Sequence, residues 1–75
     1  MAQVPIVSVA VGDAVLIDES GQQVMYCMTV VDPNNQIFTG INGKDKQTAK
    51  QFLPDDLVEQ IPIPGLGAIV LALPI

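Results

Sequence analysis

Every ionisable side chain of this protein falls between residues 13 and 59. Asp55, Asp56 and Glu59 put three carboxylates in one short stretch. Calcium wants six to eight oxygens, often from an Asp-rich loop with a Gly at its sharp bend, and that pattern is absent here. Aspartates at the head of a helical turn instead cap N–H groups that lack partners, and capping is the expected role. Asp13, Asp18, Glu19 and Asp32 are the remaining candidates for an acid–base pair. Each sits at a turn-like position and nothing sets two of them face to face, so they read as solvated turn residues. Cys27 is the one cysteine, and the chain has no histidine. A nucleophilic thiol needs a neighbouring base, and a structural zinc site needs four nitrogen or sulfur ligands. Cys27 is therefore expected as a buried, inert thiol, which fits a reducing compartment. These residues imply no cofactor, no metal and no enzyme.

The basic residues are Lys44, Lys46 and Lys50, with no arginine and a net charge of −5. Neutralising a phosphate backbone takes clustered Lys and Arg, so nucleic acid is excluded as a partner. The three lysines share their segment with Asp45 and read as a solvated loop.

The elements that carry these residues read as β. Residues 4–11 are valine-rich, with Val7, Val9 and Val11 predicted on one face. Residues 14–17 form a second short strand, and residues 18–21 a turn in which Gly21 suits a positive φ. The longest strand is predicted over residues 22–31. Val24, Tyr26, Met28 and Val30 occupy one face, and Met25, Cys27, Thr29 and Val31 the other. Both faces are largely apolar, so this strand should be covered on both sides, at least in part. Asp32, Pro33, Asn34 and Asn35 make a turn, residues 36–41 return as a strand, and Asn42-Gly43 suits a type I′ turn. Residues 47–53 are a weaker strand, where a helical turn is also open.

Two segments resemble a known family. FLPDDLVE over residues 52–59 resembles the end of SH3 domains: strand, Pro, a single 3₁₀ turn, last strand. VGDAVLI over residues 11–17 resembles the opening strand of bacterial SH3-like barrels, including the small stromal subunit of photosystem I. The resemblance covers roughly residues 11–61 and implies a small barrel. It departs where function would lie. There is no Trp, only one Tyr, and Leu57 stands where the SH3 turn commonly carries a groove Tyr, which disfavours polyproline recognition. The basic residues expected for docking an acidic electron carrier are also missing. The expected fold is thus all-β, a small SH3-like barrel (residues 13–61) with apolar extended N-terminal (1–12) and C-terminal (62–75) arms.

Those arms carry the functional reading. Residues 1–12 and 60–75 hold no charged side chain. A domain of this size buries only about 60% of its unfolded surface, so exposed apolar ends call for outside cover. Pro62, Pro64, Gly65, Gly67 and Pro74 interrupt the last run far below the ~20 residues of a spanning helix, which argues against the membrane. No basic leader precedes the early apolar residues and Pro5 breaks them, so no secretory signal is read. Residues 68–71 are predicted as a strand. Either both arms complete the chain's own sheet or at least one adds a strand to a neighbour, and the second is the expectation. The interface residues would be Val4, Ile6, Val7, Val9, Ile61, Ile63, Leu66, Ile69, Val70, Leu71 and Leu73. The function expected is structural: a subunit of a homo-oligomer or larger assembly, such as a minor capsid, decoration or connector protein of a virus or phage particle. The alternative is an accessory subunit of a membrane-associated or redox complex of photosynthetic type. Localisation would be virion or intracellular.

Overall fold

The computed structural model describes residues 3–74 and is organised around one long strand. Six strands make a single antiparallel sheet: β1 Gln3–Pro5, β2 Ala14–Glu19, β3 Gln22–Asp32, β4 Ile37–Asn42, β5 Ala49–Phe52 and β6 Leu57–Gln60. One helix, α1, follows at Leu66–Ala72. The strand order is β1-β6-β2-β3-β4-β5. The protein is therefore predominantly antiparallel β, as expected, but no ladder joins β1 to β5 and the sheet is not closed.

Turn chemistry sets the register. Ser20 and Gly21 both take positive φ (54° and 80°), matching the twist of the two strands they connect. Asp32 accepts Asn35 N–H at 3.3 Å and the Asn35 side-chain amide at 2.8 Å, which closes the β3–β4 turn. Asn42-Gly43 does not form the predicted two-residue turn. Asn42 Oδ1 accepts the N–H groups of Lys44 (2.7 Å) and Asp45 (3.1 Å), and Lys46 takes the positive φ. A side chain that offers the backbone its own acceptor opens the turn into a longer loop.

The core lies on one face, built from Ile6, Val9, Val15, Tyr26, Met28, Phe38, Phe52 and Val58. Tyr26 and Phe52 meet edge to face, with centroids 5.8 Å apart and planes at 88°. Each large side chain buried here contributes about 1.5–3 kcal/mol. The predicted alternation along β3 holds only to Met28. Met28 pairs with Gly40 and Val30 with Thr39, so Thr29 is left over as a bulge. Its hydroxyl donates to Thr39 O at 3.2 Å. The bulge reverses the phase: Val31 turns toward the core beside Phe38, while Val30 lies exposed.

The N-terminal residues depart from the single strand predicted over 4–11. β1 pairs with β6, placing Val4 opposite Val58, and stops at Pro5, which has no N–H to continue a ladder. A 3₁₀ turn at Ile6–Ser8 follows, closed by Ser8 Oγ donating to Pro5 O at 2.8 Å. This turn drives Ile6 and Val9 into the core and leaves Val7 and Val11 exposed, so the three valines do not share a face.

The strand predicted over residues 68–71 is a correction too, because Leu66–Ala72 is helical. Pro62 and Pro64 sit in two tight turns, closed by Ile63 N–H donating to Ile61 O at 2.8 Å and Leu66 N–H to Ile63 O at 3.1 Å; Gly65 takes φ 78°, and Pro74 follows the helix end. Two turns are too short for a 3.6-residue period to show. The helix packs on β3, over the side of the sheet opposite the core, where Ala14 pairs with Cys27 and Cys27 with Ile41. Ala14 and Cys27 are fully buried. The expectation that β3 is covered on both sides is met, its second cover being α1.

Gly67 sets how closely α1 approaches. A Cβ there would stand 2.7 Å from Asp13 O and 2.8 Å from Gly12 O, both backbone atoms. Alanine is the better helix former by about 1 kcal/mol, yet overpacking costs about 1–3 kcal/mol. Gly67→Ala is expected to lower the urea unfolding midpoint and Gly67→Val to lower it further. An unchanged or raised midpoint would show that α1 does not seat this closely.

Candidate functional site

Asp13, Glu19, Asp32, Asp45 and Asp56 accept hydrogen bonds within the chain. Asp56 Oδ2 accepts Leu53 N–H at 2.9 Å while Asp56 N–H donates to Leu53 O at 2.9 Å, a reciprocal clasp across the turn before β6. Asp13 accepts Gln60 Nε2 at 2.9 Å and Gly65 N–H at 3.2 Å, tying the C-terminal segment to the start of β2. Glu19 takes the Tyr26 hydroxyl at 3.1 Å and lies 3.7 Å from Lys50 Nζ. Both partners of that ion pair are over a third exposed, so it is worth at most about 1 kcal/mol. Among the described residues, no three His, Cys, Asp or Glu side chains come together as a metal site would require.

The lysines are more than a solvated loop. Lys46 Nζ donates to the carbonyls of Leu73 and Pro74, just past α1. A cation suits that end, where the last helical carbonyls lack partners. Lys50 Nζ lies 5.6 Å from the centre of the Phe52 ring. The ends of α1, itself without charge, are thus fixed by Asp13 and Gly12 at one side and Lys46 at the other. Ala68 N–H donates to Gly12 O at 3.0 Å.

The eleven proposed interface residues divide into three groups. Ile6 and Val9 are buried in the chain's own core and offer no surface. Val4, Ile61, Leu66, Val70 and Leu71 are half-buried. Val7 (42%), Ile63 (52%), Ile69 (55%) and Leu73 (55%) are exposed. Ile69 lies on α1, and Leu73 is the residue that ends it, with extended backbone at φ −75° and ψ 145°. Val70 is half-buried and faces Gly43, where an added Cβ would stand 3.5 Å from Val70 Cγ1. No helix among the described residues is long and apolar enough to cross a membrane.

One concavity went unread in the sequence. A cleft of about 510 Å³ lies where the sheet fails to close, lined in part by Ile17, Asp18, Lys50, Phe52, Asp56 and Glu59. It gathers residues from β2, β5, β6 and the turn before β6. Only a topology that leaves β5 unjoined to β1 brings them together, and no local motif announces that.

The chain matches no protein-family model, no curated protein and no solved structure.

Burial pushes the Cys27 thiol above its ordinary value of 9.0, with Lys46 pulling weakly the other way. Burial also raises Tyr26 above 10.0, reinforced by its hydrogen bond to Glu19. Both groups are thus more easily ionised when unfolded. The stability they contribute is fully present below the unfolded values and is lost as pH rises through the folded ones. Urea midpoints are expected to hold steady up to about pH 8 and to fall beyond about 9. Cys27→Ala should delay that fall to the tyrosine range; an identical pH profile would remove Cys27 as its cause.

Proposed function

We propose that this chain is a structural subunit that docks into a larger assembly through the outward side of α1 and the proline-rich segment before it. The observation that carries this reading is the pair Ile69, on a helix with no charge, and Leu73, the residue that ends that helix, each 55% exposed. Ile63 (52% exposed) precedes the helix and Val11 (60%) the Gly12 that it rests on. Scattered apolar side chains are ordinary on a surface, whereas an apolar side of one element marks a contact. The mode differs from strand donation by the arms, since β1 pairs within the chain and the C-terminal segment is helical. Within this reading the sheet is an open relative of the SH3-like barrel. The assembly we place first is a virus or phage particle, with the chain as a minor capsid, decoration or connector protein. Small size, an acidic balance and the engagement of Lys46 and Lys50 within the chain suit a packing role better than a catalytic or nucleic-acid-binding one.

Deleting residues 62–75 would also bare Cys27, so point changes on the outward side are the cleaner test. The full chain is expected to sediment as an oligomer at micromolar concentration. Ile69→Gln with Leu73→Gln should reduce it to monomer and leave the thermal midpoint within a few degrees. A stable 7.9 kDa monomer of the unaltered chain would count against the proposal.

A further inference from the structure

The two free edges of the sheet are unequal, and backbone parity shows how. Asn42 N–H donates to Thr48 O at 2.8 Å. In an antiparallel ladder bonded pairs alternate, so Gly40↔Lys50 and Phe38↔Phe52 are the bonded pairs that follow. The N–H and C=O groups of Ala49 and Gln51 therefore point away from β4. Among the described residues, none of them enters a backbone hydrogen bond outside the sheet. At the opposite edge Ile6 N–H donates to Asp56 O at 2.9 Å, which makes Val4↔Val58 a bonded pair and turns Gln3 and Pro5 outward. Pro5 has no N–H, and its carbonyl is taken by Ser8 Oγ at 2.8 Å. The β1 edge is blunted and the β5 edge is open.

We propose that the open edge of β5 receives an extended segment of another protein, one that alternates apolar and basic residues and lies along the unclosed seam. Main-chain bonds to Ala49 and Gln51 would supply the attachment, as in strand addition generally. The adjoining cleft supplies the preference. Its lining includes Ile17 and Phe52 for apolar side chains, and Asp18, Asp56 and Glu59 against the single cation Lys50. Lys50 is already engaged by Glu19. Charge thus selects a basic segment. It also disfavours a second copy of this chain: two β5 strands centred on each other would set Lys50 against Lys50, and like charges directly opposite are destabilising. This surface is separate from the outward side of α1, so either can fail alone.

The test uses the full chain, isotope-labelled, and two synthetic probes, acetyl-KVKVKVK-amide and acetyl-EVEVEVE-amide. The lysine peptide is expected to shift the Ala49 and Gln51 amides saturably and slow their hydrogen exchange, and the glutamate peptide to do neither. Gln51→Pro keeps the fold, because that N–H faces away from β4, and should weaken binding by about tenfold or more. If Gln51→Pro alters the circular dichroism, the exchange rates of the unaltered chain decide the matter. No saturable shift, equal binding of both peptides, or shifts confined to residues 66–72 would each overturn the proposal.

Discussion

A strand that is apolar on both faces has to be covered twice, and β3 imposes that requirement on the whole chain. Tyr26 and Met28 need one partner layer, Cys27 and its neighbours another. A chain of 75 residues has little to spend on two layers. The first layer comes from curling the sheet onto itself and adding Ile6 and Val9 from the N-terminal 3₁₀ turn. The second is a helix of two turns, just large enough to roof Ala14 and Cys27. Little of that helix remains inside once the roof is made, so its far side faces water.

The roof is held by polar groups at its ends rather than by burial alone. Asp13 and the Gly12 carbonyl receive N–H groups at the start of the segment, and Lys46 meets the last carbonyls. Short helices are marginal by themselves in water. Contacts from residues far off in sequence therefore decide whether this one forms. The same contacts explain why two charged residues near loops are structural here and not merely solvated.

Legibility in the sequence followed the range of the forces involved. The turns at Ser20-Gly21 and at Asp32 to Asn35 are local, dictated by side chains within four residues, and they could be read directly. The double burial of β3 could also be read, because it is written in its own composition. The bulge at Thr29 could not: Val30 and Val31 are chemically identical, and only the β4 register decides which one turns inward. Asn42 was misread because its side chain competes with the turn its backbone favours. The helix was misread because Ile69 and Val70 are good strand residues and two turns show no period. Apolarity is a property core and surface share, so in the sequence Ile6 and Val9 look no different from Ile69 and Leu73. The cleft was invisible because it is a gap between strands distant in sequence.

The blunted β1 edge has a consequence for growth. Stacking sheets edge to edge into a fibre requires each unit to have two live edges, as a polymer requires bifunctional monomers. Here Pro5 and the Ser8 hydroxyl retire one of them. Only Gln3 keeps outward backbone groups on β1, so a strand added at β5 finds little to continue it at the other edge. Run-on growth into amyloid-like ribbons is thereby disfavoured.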